Sequence, residues 1–256
     1  MARHVEAIMN GVPLSAVGPV LIQQVQEPPA EMEITYGARP LRNGQDVLSS
    51  RRKSLKVTID AVIKELFDLS KRSSILAMMA GWAKGTTLEL SNHPGQFLAV
   101  KCRNFPSLGA VRDYTSKISI ELEASEVPYW QELIPATGSG SGTTGTVNLF
   151  VPGTADDVPV DLTFTPSGTL TSLTVTVSGS GVTKSISLSG MSVSGAVKLQ
   201  REAGDCLGIV TGSTSLLQYR SESSADDLMV PAGAVEVTWT ANVSGSMAAS
   251  ARGRWL

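Results

Sequence analysis

Apolar and polar side chains alternate along two stretches in the first half of the chain. Every second residue of Leu55–Ala61 is apolar, and the residues between them are Lys, Thr and Asp. Ile118–Glu123 alternates in the same way against Ser and Glu. A period of two with one polar face predicts half-buried β-strands. Shorter runs of the same type predict further strands at Leu21–Val25, Glu33–Tyr36, Thr87–Leu90 and Phe97–Cys102.

A helical spacing interrupts these strands once, over Asp68–Trp82. Ile75, Met79 and Trp82 stand at i, i+4 and i+7, which places them on one face of a helix. Asp68 or Ser70 could cap its start. We predict a single helix whose Met and Trp side chains fill the core rather than hold a cofactor.

The second half of the chain is a series of short β-branched runs separated by Gly and Ser. Such regularly spaced short strands with turn signals predict an all-β sandwich or jelly roll. The turn Pro231–Gly233 precedes one of the clearest alternations. The predicted strands are Val147–Val151, Val160–Thr165, Leu170–Val177, Val182–Leu188 and Ala234–Thr240.

The two halves are joined by a tract of Gly, Ser and Thr at 137–146. Such a composition is typical of flexible linkers. The first half also holds 29 of the 44 charged side chains. We therefore predict a β domain with one helix at 1–135, a linker at 136–146, and a β-sandwich at 147–256.

Composition and charge exclude several classes of protein. The chain has 256 residues, 42% of them hydrophobic and 17% charged, with a net charge of -2. This composition is too apolar for a disordered chain and too neutral for one that grips nucleic acid through phosphates. No apolar stretch is long enough to span a membrane, and the start does not resemble a signal peptide. We expect a protein that folds in a cytoplasm.

Cysteine and histidine are too few to build a metal or disulfide framework. Cys102 and Cys206 are the only cysteines, and His4 and His93 the only histidines. We expect two free, buried thiols and no Cys/His zinc site. No cofactor is expected either, because P-loop, dinucleotide-binding and EF-hand patterns are missing.

Catalytic chemistry finds little support in the sequence. No G-x-S-x-G elbow lies between a strand and a helix, so a Ser–His pair is not expected. Carboxylates are paired at Asp156–Asp157 and Asp226–Asp227, with Asp161 nearby in sequence. Glycoside hydrolysis needs two carboxyl groups facing each other across about 5 to 9.5 Å. The side chains of two adjacent loop residues point in opposite directions, so these pairs do not favour glycoside hydrolysis. They could instead be solvated loop residues or bind Ca²⁺ weakly. We expect no catalytic residues.

Two other features could bind ligands. The basic run Arg51–Lys53 precedes a predicted strand. It could be a solvated loop, a contact between subunits or a phosphate site. Tyr219, Trp239 and Trp255 could stack on a sugar or fill the second domain's core.

Several segments follow one another in a recognisable order along almost the whole chain: Ile8–Leu14, Pro28–Tyr36 with Gly44, Arg51–Arg52, Leu55–Ile63, the helix ending at Trp82, Leu88–Leu90, Ile118–Trp130, Val230–Gly233, Val235–Trp239 and Arg252–Leu256. Together they resemble the distal tail protein family of long-tailed, siphovirus-type bacteriophages. At the end of the first domain the chain has Glu126–Val127 where the family usually has Asp. Near the C-terminus Ala251 and Gly253 replace the usual Tyr and Pro.

The resemblance implies a mainly β fold, with a tail-tube-like first domain containing one helix and a galectin-like second domain. It implies a structural hub at the tail tip of a virion, where a homo-hexameric ring joins the tail tube to the tail-tip hub, fibre or receptor-binding proteins. DNA would pass through that ring without specific binding, and the second domain could bind a host cell-wall glycan. Alternative functions are a major tail-tube subunit with an added surface domain, or a carbohydrate- or receptor-binding module.

Overall fold

A computed structural model describes residues 5–38, 45–63, 69–104, 116–202 and 206–256. The chain is mainly β with one α-helix in this described part, and its strands form several antiparallel sheets. This architecture confirms the predicted fold class of β-sandwich type. The chain divides into two compact units, Met1–Trp130 with the terminal Leu256, and Gln131–Trp255. His4, Gly44 and the proposed capping residue Asp68 lie outside the described residues.

Within the residues that the structure describes, the first unit contains nine strands and the helix α1. Seven of its strands form one antiparallel path in the order β2-β1-β7-β8-β9-β6-β3. A short strand β10 (Trp130–Glu132) lies at the boundary between the units. The elements are β1 (Ala7–Met9), β2 (Val12–Pro13), β3 (Val20–Gln26), β4 (Met32–Ala38), β5 (Gln45–Arg52), β6 (Lys56–Ile63), α1 (Leu69–Ala83), β7 (Thr87–Leu90), β8 (Gln96–Asn104) and β9 (Ser116–Ala124).

The core of this sheet consists of the alternating residues that the sequence singles out. Strand β6 lies antiparallel to β9, and Ile59 stands directly opposite Ile120. Val57 faces Leu122 in the same ladder. All four side chains are buried, so each pair packs on the apolar face of the sheet.

Helix α1 presents the predicted stripe to the interior. Ile75, Met79 and Trp82 are buried. The indole Nε1 of Trp82 donates a hydrogen bond to the carbonyl oxygen of Val12 at 2.7 Å. Ile75 lies close against Gly18, where an added Cβ would be 3.3 Å from its side chain. The prediction that these residues form core is confirmed.

The opening motif folds into a hairpin. Asn10 and Gly11 both have positive φ, 49° and 78°, and connect Met9 to Val12. Such a two-residue turn matches the right-handed twist of the strands that it joins. The Asn10 side chain also accepts hydrogen bonds from the backbone N–H groups of Thr86 and Thr87. The motif therefore ties the start of the chain to β7.

The second unit is built around the 19-residue strand β19. One edge of β19 pairs with β11, and the other pairs with β13 and then β12. The main path is β14-β13-β19-β12-β15-β16-β17. The strands are β11 (Ala136–Val151), β12 (Val158–Pro166), β13 (Leu170–Gly179), β14 (Val182–Val193), β15 (Val197–Arg201), β16 (Leu207–Thr211), β17 (Thr214–Ser215), β18 (Met229–Val230), β19 (Gly233–Ala251) and β20 (Arg254–Trp255).

The predicted linker at 136–146 is wrong, because the Gly/Ser/Thr tract is the first part of strand β11. It pairs with β19 from Ala136 onwards, with one irregularity after Gly142. Its glycines make room for the buried ring of Trp239. An added Cβ would lie 2.6 Å from that ring at Gly140 and 2.3 Å at Gly145. Gly140 and Gly145 lack side chains at the positions that the ring of Trp239 covers. The boundary between the two units lies at Trp130/Gln131 and not in this tract.

Candidate assembly surface

Strands β4 and β5 form a separate two-stranded sheet in the first unit. We call this ribbon, Met32–Ala38 and Gln45–Arg52, the arm. Within the described residues its strands pair with each other and with no further strand. An isolated two-stranded ribbon is at best marginally stable in water. The arm would therefore gain stability from packing against another surface.

One face of the arm carries four exposed apolar side chains, beside Ser50 and Arg52, which stand opposite Ile34 and Met32 in the ladder. Met32, Ile34 and Tyr36 follow one another at a spacing of two and are 48%, 41% and 52% exposed. Val47 stands opposite Tyr36 in the ladder and is 61% exposed. Side chains of directly opposed residues lie on the same face of a sheet. Exposed apolar patches of this kind mark interaction surfaces.

The other face of the arm is mostly polar. Glu33 and Thr35 alternate with the apolar residues on β4, and Arg51 stands opposite Glu33. Arg51 Nε donates to Glu33 Oε2 at 2.6 Å. The apolar exception is Leu48, which lies over Gly37. The arm is thus amphipathic, with a polar face suited to water and an apolar face suited to a partner.

The basic run Arg51–Lys53 lies at the base of the arm. Arg51 and Arg52 end strand β5, so the interpretation of this run as a loop is wrong for them. Arg52 lies over the ring of Tyr129 at 5.8 Å. Lys53 Nζ lies 3.0 Å from Glu31 Oε2, and this pairing lowers the pKa of the Glu31 carboxyl and raises the pKa of the Lys53 ammonium. Each cation has a partner within the chain, which disfavours a phosphate site and favours a structural role.

His93, one of the two histidines of the chain, belongs to a cluster in the first unit. Its Nε2 lies 2.8 Å from Glu27 Oε2, and its ring stacks on Trp130 with centroids 4.4 Å apart. Asn92 donates to the other oxygen of Glu27 at 3.0 Å. The histidine thereby joins the β7–β8 turn to the segment after β3.

The carboxylates considered for catalysis are used in local structure. Asp161 accepts a hydrogen bond from the backbone N–H of Arg201 at 2.7 Å. Asp226 pairs with Arg220, and Asp227 lies 3.4 Å from Lys184. The described residues contain no cluster of three or more His, Cys, Asp or Glu side chains that could hold a metal ion.

The aromatic candidates for sugar stacking separate into different environments. Trp239 is buried under the glycines of β11, and Trp255 is partly buried. Tyr219 lines a groove at the surface of the second unit. The structure therefore assigns Trp239 to the core, while Tyr219, although also partly buried, borders a groove that a ligand could enter.

The two cysteines are free thiols, as expected, but they are not both buried. Cys102 is partly buried and Cys206 is exposed. Burial raises the pKa of the Cys102 thiol, whose Sγ donates a hydrogen bond to the carbonyl oxygen of Asn104. No helix in the described chain combines the length and apolarity needed to cross a membrane.

The residues of the apolar arm face were not identified from the sequence as functional. The signal was present, because Met32, Ile34 and Tyr36 alternate with polar residues on a predicted strand. Alternation alone does not distinguish a face that packs on the chain's own core from one that is left exposed. Strand β5, which completes the arm, begins among polar residues and lacks the alternation that would have revealed it.

Comparison with solved structures shows the fold of the whole chain. It is similar to the Dit protein of phage SPP1, described as a paradigm of the hub adsorption apparatus in phages infecting Gram-positive bacteria. The TM-score is 0.67 with 12% sequence identity, and the match covers 99% of this chain and 100% of that one. The resemblance to distal tail proteins noted from the sequence is confirmed at the level of the fold.

Chains from the phage P2 baseplate are similar at lower scores. In the activated conformation with Ca the identity is 7% and the TM-score 0.45, over 99% of this chain and 98% of that one. In the activated conformation with Sr the identity is 7% and the TM-score 0.43, over 97% and 98%. No protein-family model matches the sequence, and comparison with curated proteins gives no match.

Proposed function

We propose that this chain is a non-enzymatic structural subunit of a phage tail hub. The observation that carries the proposal is the amphipathic arm on a chain whose full length shares the fold of a phage hub protein. The apolar face of Met32, Ile34, Tyr36 and Val47 is exposed to water in the single chain. Burial of that face against a second copy would remove its cost in water.

The assembly that we propose is a closed homo-hexameric ring at the virion tail tip. In such a ring one surface of each copy meets a different surface of the next. The arm supplies one such surface. The other surface would lie on the first unit of the neighbouring copy. There it would cover the exposed apolar side chains of the arm and pair with its charged residues.

The ring would join the tail tube on one side to tail-tip, fibre or receptor-binding proteins on the other. DNA would pass through its channel without specific binding. The near-neutral charge of the chain supports such passage, because a lumen that held phosphates tightly would retain the DNA. The first unit would form the ring, and the second would remain available for contacts beyond it.

The test compares two substitutions on adjacent positions of the arm in the full-length protein. Ile34→Glu places a charge on the apolar face, whereas Thr35→Glu places it on the polar face as a matched control. We expect rings for the wild type and for Thr35→Glu by native mass spectrometry and negative-stain imaging. We expect monomers for Ile34→Glu at the same concentrations.

Two results would contradict the proposal. Rings formed equally well by Ile34→Glu would show that the apolar arm face is not an assembly surface. Long tubular polymers of the wild type would favour a tail-tube subunit, because tube subunits stack on copies of themselves whereas a hub stops at a ring.

A further inference from the structure

A surface groove of about 380 Å³ lies in the second unit. It is bounded by the end of strand β14, the residues that lead into β15, and the β16–β17 hairpin with the short 3₁₀ turn Leu217–Tyr219 that follows. It is wide open to solvent, so a molecule bound there would keep one face in water. No function described above uses this groove.

Six polar side chains line the groove: Ser192, Ser194, Thr211, Thr214, Gln218 and Tyr219. In the part of the chain that the structure describes, none of these side chains makes a hydrogen bond. Hydroxyl groups both donate and accept, and the Gln amide offers a carbonyl oxygen and an NH₂ group. The groove thus presents a set of unused donors and acceptors to a ligand.

The wall that carries Tyr219 is fixed by the backbone. Tyr219 N–H donates to the carbonyl oxygen of Leu216 at 3.0 Å, and Leu216 N–H donates to that of Ile209 at 2.8 Å. Leu216 is itself buried beneath the turn. The backbone that carries Tyr219 is therefore held in place before any ligand arrives, which lowers the entropic cost of binding.

The charge of the groove selects the class of ligand. None of its described lining residues carries a formal charge. An anion or a cation would lose its hydration there without gaining an opposite charge. A neutral molecule with many hydroxyl groups and one apolar face would satisfy the polar side chains and lie against the Tyr219 ring. A neutral pyranose sugar has both properties.

We propose that this groove binds a neutral pyranose unit of a glycan, with Tyr219 as the stacking platform and the surrounding Ser, Thr and Gln side chains as hydrogen-bonding groups. The inference deepens the proposed function, since a hub ring would present several grooves at once to a host surface. Several weak sites on one assembly reach a high avidity. The binding chemistry itself needs only one copy.

The first experiment measures the binding of simple sugars to the full-length protein by saturation-transfer NMR. The probes are the methyl glycosides of glucose, galactose, rhamnose and N-acetylglucosamine, at concentrations up to tens of millimolar. Tyr219→Ala should weaken binding about fivefold or more, because the stacking surface is lost. Tyr219→Phe keeps the ring and should retain most of the affinity. Phe150→Ala is the matched control, because Phe150 is an exposed aromatic residue of the same unit that does not line the groove.

Two outcomes would overturn the inference. One is the absence of any transfer signal from all four glycosides. The other is a signal that Tyr219→Ala leaves unchanged, which would place the sugar elsewhere. Circular dichroism of Tyr219→Ala checks that the variant is folded. If it is not, Gln218→Ala replaces it, because that change removes a hydrogen-bonding group from the same groove and should also weaken binding.

A second experiment separates this inference from the proposed ring. Agarose beads densely coated with the sugar that binds best should retain wild-type rings more strongly than Ile34→Glu monomers. Both proteins should give equal signals with the free glycoside, as the groove is complete in one chain. Sugar binding without rings would support the groove and contradict the hub. Rings without sugar binding would support the hub and overturn the groove.

Discussion

At the scale of single residues, Gly145 shows how a small side chain can be a packing requirement. It lies under the buried ring of Trp239, whose atoms would be 2.3 Å from an added Cβ. A buried indole in a close-packed interior has little freedom to move away. The identity of this glycine is therefore set by the partner strand rather than by a turn.

We predict that Gly145→Ala destabilises the protein by about 1 to 3 kcal/mol, the usual cost of overpacking a core. The measurement is the free energy of unfolding of the full-length protein, obtained from a denaturant titration monitored by Trp fluorescence. Gly81→Ala is the control, because nothing lies within 4 Å of a Cβ added there. An Ala in that helix should be neutral or stabilising by up to about 1 kcal/mol. Equal stabilities for Gly145→Ala and wild type would contradict the packing of Trp239.

The two thiols should differ in reactivity. Cys206 is exposed, whereas Cys102 is partly buried and burial raises the pKa of its thiol. The thiolate is the reactive form, so Cys102 holds less of it at mildly alkaline pH than an ordinary cysteine does. We expect iodoacetamide to modify Cys206 well before Cys102 in the native protein, as measured by peptide mass spectrometry. Equal rates in the native state would be inconsistent with this arrangement, and equal rates in denaturant are the control.

At the scale of elements, helix α1 is held by a stripe of buried residues and by one specific hydrogen bond. Trp82→Ala should cost about 3 to 5 kcal/mol, because a large buried side chain is removed. Trp82→Phe keeps most of the apolar volume and loses the bond from Nε1 to Val12, so about 1 kcal/mol is expected. Thermal unfolding of both variants measures the difference. A Trp82→Ala protein that melts like the wild type would show that the helix does not depend on this contact.

The C-terminal motif Arg252–Leu256 contributes two arginines to the structure of the second unit. Arg254 is buried, and its NH1 group donates to the carbonyl oxygen of Asp157 at 2.7 Å. Arg252 donates to the carbonyl oxygens of Glu132 and Leu133. Burial lowers the pKa of the Arg252 guanidinium below its ordinary value. The two arginines thus satisfy backbone acceptors from separate segments of the second unit.

Elements with a clear period were predictable from the sequence, and those shaped by distant partners were not. Thr87–Leu90 has the bounds that its alternation predicts, and Ile75, Met79 and Trp82 form the expected buried stripe. The β11 tract was misassigned, because its strand structure depends on β19 about a hundred residues away. Local propensity counts Gly and Ser against a strand, yet pairing and the Trp239 ring override it.

The candidate sites likewise combine residues that the sequence indicates with features that only the tertiary fold determines. Tyr219 could be identified from the sequence as an available aromatic residue, but its groove also needs Ser192 and Thr211, which come together only through the pairing of strands. The apolar alternation of Met32, Ile34 and Tyr36 was visible, whereas its exposure was not. Exposure depends on which faces the rest of the chain covers, and that is a property of the tertiary fold.

At the scale of the whole molecule, two kinds of force would act on the proposed ring. The first 135 residues carry 29 of the 44 charged side chains with both signs represented, so complementary charges can steer copies together and fix their register. The arm adds an exposed apolar face, whose burial is not screened by salt. Steering acts mainly on the rate of association, and apolar burial acts on the stability of the finished ring.

We therefore predict that salt separates the kinetics of assembly from its equilibrium. Raising the ionic strength from about 0.01 M to about 1 M shortens the Debye length from about 30 Å to about 3 Å. The rate of ring formation, followed by light scattering after dilution from denaturant, should fall. The fraction of rings at equilibrium, measured by analytical ultracentrifugation, should change little, since the apolar arm face still favours association. Thr35→Glu should behave like the wild type and serve as the control. Rings that dissociate fully in high salt would show that ionic contacts hold the assembly and that the arm contributes little to it.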